Sequence, residues 1–431
     1  MMNLNPFSHP LQAPRRAIVI GAGLAGAAVC ERLCTRGWQV DLIEQHEEPA
    51  SEASGNHAGS FHPLIARDDN RLARLTQAGV AYAINYWREL EAAKHSFSWS
   101  AGGALQLSRA DGKADPVMAL GRGRFATDYA RQVTRGEASD LAGVSLTSGG
   151  VWFGAGGWVR PASLVRAQLA RCASSASGAG AGASRFNAHL GVAVAAAEYH
   201  AGQWELADAN GHLIARAPVV LLAGGASAVL PLLFTQRVWP VAGVRGQLSL
   251  LRAETIQAPR IPVHRDGYVL PAIDGRVVVG ATYERAASQS AEHANAANLA
   301  RLQSILATSS TARNRAEATF RMESRVAYRA VARDRLPVIG AMPDWRGLDP
   351  AAVMRAGARL QHLPRLPGVY VAGAYASRGL TWAALGAEVL ISLIEGAAAP
   401  LENELMHSID PARFALHAVR RGFAPLSKIA G

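Results

Sequence analysis

The sequence predicts an α/β protein in which a mostly parallel sheet is assembled from distant parts of the chain and interleaved with a second, α+β domain on a mixed or antiparallel sheet. Three observations predict it. An apolar strand, Ala17 to Ile20, runs into Gly21-Ala22-Gly23-Leu24-Ala25-Gly26 and a helix. A second apolar strand, Val219 to Ala223, enters Gly224-Gly225 in mid-chain. A third, Gly368 to Ala374, leads through Ser377-Arg378-Gly379 into a late helix, Ala383 to Ile394. A nucleotide-binding sheet of the Rossmann-like, glutathione-reductase type draws its strands from such separated pieces.

The first βαβ unit is compact. The helix Leu24 to Arg36 is stopped by Gly37, and Gln39 to Ile43 forms the next strand, ending at Glu44. From Arg71 to Ala93 the spacing predicts a long amphipathic helix, with Leu72, Leu75, Tyr82, Tyr86 and Leu90 opposite Arg74, Gln77, Asn85 and Arg88. The Ala/Ser/Gly run Ala173 to Ser184 reads as an exposed loop. Between Val192 and Leu222 short strands alternate, with Ala209-Asn210-Gly211 as a hairpin turn. Strands Tyr268 to Pro271 and Val277 to Ala281 flank Asp274-Gly275, and a helical region follows from Glu292 to Ala312. We therefore expect a nucleotide domain from 14–66, 150–236 and 366–400, a substrate domain from 67–149 and 237–365, and a basic tail at 401–431.

At 431 residues the chain is long enough for two cores. Its formal net charge is +11, and its basic residues are arginine except for Lys94, Lys113 and Lys428. Arginine and alanine bias accounts for part of this; an anionic macromolecular partner accounts for it equally well, because a positive field speeds encounter with polyanions. Cys30 and Cys34 lie one turn apart in an apolar stretch and read as core. With Cys172 they form an odd, small set that fits a reducing, cytoplasmic setting. No cysteine or histidine spacing suggests a metal site. Met1 to Arg16 is polar and lacks a signal peptide's apolar core, and the apolar stretch Ala17 to Cys30 is too short and glycine-punctuated to span a membrane.

The glycine motif has a physical role at each position. Gly21 allows the tight turn, Gly23 lets the backbone approach a pyrophosphate, and Gly26 permits close helix–strand packing. Ala22, Leu24 and Ala25 present the helix N-terminus to the negative charge. Glu44, followed by Gln45, ends the second strand, where a carboxylate accepts hydrogen bonds from an adenosine ribose. The motif does not itself separate FAD from NAD. The late strand with Gly373 and the strand into Gly224 favour extended FAD, which needs a second wall beyond the pyrophosphate.

With these segments in place the chain resembles the FAD-dependent oxidoreductase half of the bifunctional tRNA wobble-uridine enzymes (MnmC type), a branch of the glycine oxidase/D-amino-acid oxidase (DAO) superfamily. The resemblance spans Arg16 to Ala398. It is carried by Ser54-Gly55-Asn56-His57-Ala58-Gly59, Gly156-Gly157-Trp158-Val159-Arg160-Pro161, Val244-Arg245-Gly246-Gln247, Gly267-Tyr268-Val269 and Val279-Gly280-Ala281-Thr282-Tyr283. Tyr328-Arg329-Ala330 through Arg333-Asp334-Arg335-Leu336-Pro337-Val338-Ile339-Gly340, and Ala376-Ser377-Arg378-Gly379-Leu380, complete it. Two departures stand out. The commonest family form carries an N-terminal methyltransferase, so this chain is expected to perform the oxidative step alone, beside a separate methyltransferase. His62 stands where a tyrosine is expected.

The resemblance implies non-covalent FAD and oxidation of the carboxymethylaminomethyl group on a tRNA wobble uridine, giving aminomethyluridine and glyoxylate. Such a substrate is an N-alkylated glycine, and its carboxylate calls for the planar fork of an arginine. Arg329 holds the superfamily position for that grip; an ion pair with Asp334 or Glu323 is its structural alternative. Arg378 is expected beside the flavin, or else in a helix-capping or packing role, and Tyr268 closes the substrate pocket or packs in the core. Ser54, Gly55 and Asn56 are expected to approach the flavin ring through their backbones, with Ser377, Gly379 and Leu380 on its other side. His57 reads as a hydrogen-bonded loop residue and not a flavin attachment point. Candidate tRNA contacts are Arg122, Arg124, Arg131 and Arg135, and at the end Arg413, Arg420, Arg421 and Lys428. Two other readings share the flavin: an oxidase or dehydrogenase of free glycine, sarcosine or D-amino acids, and a flavin-binding module without turnover.

Overall fold

The computed structural model describes residues 14–109, 115–121, 123–176, 185–227, 234, 240–284, 290–307 and 322–422. A six-stranded sheet carries the strands Val338–Pro343, Arg365–Gly373, Val219–Leu222, Arg16–Ile20, Gln39–Ile43 and Phe186–His189 in that spatial order. All its neighbours run parallel except Val338–Pro343, which pairs antiparallel with Arg365–Gly373.

The apolar runs exist because both faces of this sheet are covered. Ala17 and Val19 face a layer of helices with Val219 and Leu221, whereas Ile18 and Ile20 face the other way with Val220 and Leu222. The helical layer comprises Leu24–Thr35, Arg71–Ala92, Pro161–Ala176 and Gly379–Glu395. The opposite face is closed by a small antiparallel sheet of Ala196–His200, Gln203–Ala207 and Leu213–Ala217, whose Trp204, Leu206 and Ala215 share the second core. Each side chain so buried contributes roughly 1.5–3 kcal/mol when it is the size of valine or leucine.

A second sheet of eight strands follows the order Glu323–Ala332, Val241–Arg252, Arg276–Gly280, Tyr268–Ile273, Val263–His264, Ala104–Leu107, Gly150–Phe153 and Ala130–Val133. It is antiparallel except where Val263–His264 meets Ala104–Leu107. The helix Ala291–Ile305 packs on it. Sheet membership shifts two of the expected segment edges: Gly150–Phe153 pairs in the larger sheet, and Val338–Pro343 in the nucleotide sheet.

Several element boundaries differ from the sequence reading. Ala173 to Ala176 close the helix Pro161–Ala176, where a loop was expected, because the same turn buries Cys172; the rest of that run lies outside the described residues. The helix Ala291–Ile305 stops when Leu306 turns to extended backbone and bridges Leu146. Gly379–Glu395 starts a turn earlier than expected. The expected tail instead folds into Asn403–Ile409 and Arg413–Arg420, whose Leu405, Met406, Ala415, Leu416 and Val419 are buried. Cys30, Cys34 and Cys172 are free and buried. No helix among the described residues is long and apolar enough to cross a membrane, and no cluster of three metal-ligating side chains occurs among them.

Candidate functional site

The two sheets meet around a cavity of about 940 Å³, near the upper end of the size ligand pockets take. One end is the glycine turn. Gly21 has φ +105°, and a β-carbon there would lie 2.6 Å from the Ala223 carbonyl oxygen. A β-carbon on Gly26 would overlap the Gly21 carbonyl, so the helix can sit this close only on glycine. Gly23, Leu24 and Ala25 line the cavity where the helix N-terminus opens, while Ala22 lies behind the wall, fully buried.

Glu44 ties this end together. Its Oε2 accepts from the Ala22 N–H at 2.7 Å and its Oε1 from the His46 N–H at 3.0 Å. With Gln45 it lines the cavity, and each carboxylate oxygen keeps a lone pair for a ribose hydroxyl. Ser54 lines the cavity, and its Oγ accepts from the Leu24 N–H at 3.0 Å, a side-chain contact at the start of the first helix beside the backbone approach expected of it. Gly55 does not reach the main cavity; it packs under Arg325 and lines a smaller pocket. Asn56 lines both pockets, and its Oδ1 is buried without a hydrogen-bond partner. His57 faces only the smaller pocket and hydrogen-bonds the Ile273 carbonyl at 2.8 Å.

The far wall brings Gly224, Gly373, Ser377, Gly379 and Leu380 to the same cavity from two remote segments. Nothing lies within 4 Å of a β-carbon built on Gly373. The Arg378 side chain is absent from the lining and its guanidinium lies 5.9 Å from the Trp382 ring centre, as in the packing alternative. Its backbone N–H donates to Tyr375 at the start of the late helix, and burial lowers its pKa.

Arg329 projects from Glu323–Ala332 into the other end of the cavity. Its Nη1 donates to the Thr282 carbonyl at 3.0 Å, and its guanidinium lies 5.7 Å from the Tyr283 ring centre. The side chain crosses the neighbouring strand over Gly246, where any β-carbon would collide with it. Neither structural ion pair forms: Asp334 pairs with Arg413, and Glu323 with Arg276. Among the described residues no carboxylate lies within ion-pair distance of Arg329, so its charge faces the cavity. Tyr268 lines the same end; burial raises its phenol pKa, and the Arg329 charge partly offsets this.

Sequence reasoning missed a histidine pair. His62 and His264 meet edge to face at 4.6 Å, and His62 also stacks on Phe153 at 5.2 Å. Burial, with a smaller contribution from Arg378, lowers the His62 pKa to about 4; burial holds His264 well below its usual value. His264 lines the cavity with a buried, unpartnered Nε2. The only hint in the sequence was His62 at a position expected to be tyrosine.

Most candidate tRNA contacts hold the protein's own groups. Arg124 pairs with Asp69 at 2.7 Å, Arg131 with Glu137 at 3.5 Å, and Arg135 donates to the Leu146 carbonyl. Arg413 is bidentate to Asp334, and Arg420 donates to the Ala358 carbonyl. Arg421 is exposed, and Arg122 and Lys428 lie outside the described residues.

The cavity suits an extended dinucleotide: a glycine cradle at a helix N-terminus, a buried strand-end carboxylate, and an open second wall with the unpartnered Asn56 Oδ1. Comparison with known proteins agrees. Residues 16–393 match the family described as FAD dependent oxidoreductase (DAO). The chain is 44% identical over 417 residues to the tRNA 5-methylaminomethyl-2-thiouridine biosynthesis bifunctional protein MnmC of Burkholderia pseudomallei (strain 668), which covers 95% of this chain and 60% of the relative. The corresponding protein of Burkholderia thailandensis is also 44% identical, over 95% of this chain and 61% of its own length. The chain thus spans about three fifths of the curated relatives it matches. Among solved structures, glycine oxidase from Geobacillus kaustophilus superposes with a TM-score of 0.70 at 19% identity, over 92% of this chain and 99% of that one. Iminodiacetate oxidase from Chelativorans sp. BNC1 gives 0.68 at 22% identity, over 90% and 98%. Both likenesses concern the fold.

Proposed function

Because the chain belongs to the family of FAD-dependent oxidoreductases, we propose that it oxidises the carboxymethylaminomethyl group of a tRNA wobble uridine, leaving aminomethyluridine and releasing glyoxylate. The observation that carries this reading is the Arg329 guanidinium, lining the cavity with no carboxylate partner among the described residues, in a chain 44% identical to wobble-uridine biosynthesis proteins. The reaction removes a hydride and a proton from the glycine CH–NH unit; water then cleaves the C=N bond, giving the primary amine and the aldehyde. FAD, when bound, supplies the two-electron acceptor.

The chain's residues supply position. Arg329 grips the substrate carboxylate through its fork, anchored by the Thr282 carbonyl. Tyr268 remains protonated, since burial raises its pKa, and its hydroxyl closes the pocket over the carboxylate. His264, neutral through burial, offers Nε2 as an acceptor for the substrate amine N–H. No dedicated general base is required when the amine reacts neutral. The Gly21–Gly26 turn and the helix N-terminus take the pyrophosphate, Glu44 the ribose, and the Gly224, Gly373 and Ser377–Leu380 wall the remainder of the cofactor. The +11 charge favours a polyanionic substrate.

The test incubates the purified yellow protein with tRNA carrying the carboxymethylaminomethyl group, followed by nucleoside analysis and a glyoxylate assay. Loss of the modified nucleoside with stoichiometric glyoxylate is expected. Persistence of that nucleoside while free glycine is consumed would replace this reading with that of a small-molecule amine oxidase.

A further inference from the structure

Tyr283 is 46% exposed on the lining of the candidate cavity. Its backbone is clamped on both sides. Before it, Thr282 accepts from the Gln247 N–H through its hydroxyl at 2.9 Å and from Arg329 through its carbonyl at 3.0 Å. After it, the Glu284 N–H donates to the Arg245 carbonyl at 2.9 Å, and the Arg245–Glu284 side chains pair at 2.9 Å. The backbone that carries the ring is thus held, and the Arg329 guanidinium lies over the ring. Tyr328, also exposed on the rim, precedes Arg329 in the same strand and leaves the opposite face of the sheet. Tyr283 is the ring that lies under the guanidinium, its centre 5.7 Å from it.

We infer that Tyr283 is the stacking platform for the pyrimidine base of the substrate, with Gly246 and Arg329 setting the spacing between base and carboxylate. The inference rests on the substrate class proposed above and deepens it. Four single bonds separate the carboxyl carbon from the ring carbon that bears the glycine arm, about 5 Å when extended. A carboxylate held by Arg329 therefore brings the base edge within reach of the Tyr283 face, which offers the π-surface that nucleobases stack on. A free amino acid has no group to place there.

The test uses the flavin-loaded protein with modified tRNA as substrate and two competitive inhibitors: aminomethyluridine, which has the base without a carboxylate, and glycolate, which has the carboxylate without a base. Tyr283→Ala should weaken inhibition by aminomethyluridine roughly 5- to 150-fold, the range that loss of one stacked base produces, and raise the KM for tRNA more than it lowers kcat. Glycolate inhibition should hold within about twofold, a span below 1 kcal/mol. Tyr283→Phe should retain the base effect, because the ring face and not the hydroxyl carries it. Tyr283→Leu, which keeps bulk without a π-face, replaces the alanine variant should that one lose its flavin. Equal weakening of both inhibitors, or of neither, overturns the inference. A wild-type protein that leaves modified tRNA untouched overturns the proposed function instead.

Discussion

The guanidinium of Arg329 passes through the space that a β-carbon on Gly246 would occupy, so the glycine on one strand is the aperture for the arginine on the next. Gly246→Ala should therefore push Arg329 off the Thr282 carbonyl without touching the dinucleotide end. We expect a normal flavin spectrum with kcat/KM down about 100-fold, the scale on which a displacement near 1 Å acts. Steady-state kinetics beside the 450-nm-type flavin absorbance checks this, and unchanged turnover would mean the guanidinium has room the structure does not show.

Arg329 itself should tolerate neither charge loss nor change of shape. Arg329→Ala removes a charge-assisted pair, for which single hydrogen bonds to charged groups are worth about 1.5–3 kcal/mol, so kcat/KM falls at least about tenfold with flavin retained. Arg329→Lys keeps the charge but not the fork, and recovery should be partial. Full activity in the alanine variant would remove Arg329 from the substrate site.

At the opposite end, Glu44 holds two backbone N–H groups with its two oxygens. Glu44→Ala leaves the buried Ala22 donor unmet, a cost of about 1–3 kcal/mol, and frees the part-buried His46 N–H. FAD affinity should drop roughly 10-fold or more, measured by flavin release on dilution, while the KM of the remaining loaded enzyme stays close to wild type. Tight flavin retention in this variant would assign the ribose to another group.

The His62–His264 contact predicts an acid-sensitive fold. His62 titrates near 4 in the native protein against about 6.5 when free, so the unfolded chain binds more protons between these values. Stability is fully present above about 6.5 and declines as pH falls toward 4, by at most ~3 kcal/mol from His62, since its ring keeps some exposure. His264, whose pKa burial also lowers, acts in the same direction. His62→Phe should flatten the pH dependence of the melting temperature over that window; an unchanged slope would place the titration elsewhere.

The sequence alone determined the nucleotide half. Gly21, Gly23, Gly26 and Glu44 fall within one short βαβ unit, where steric demands on each residue are local and the apolar runs on either side leave one register. It also singled out Arg329 and Tyr268, through their motifs. It could not decide which side chains face the cavity. Arg378 turns toward Trp382, Ser54 caps a helix, Gly55 lies under Arg325, and the basic segment after 400 docks as two helices. Apart from the Arg378–Trp382 contact, which spans one helical turn, each depends on contacts between residues tens to hundreds of positions apart, and so do the His62–His264 pair and the passage of Arg329 over Gly246. Only the tertiary structure decided these, because side-chain direction at a junction of two sheets is set by the packing of both, and no local pattern records it.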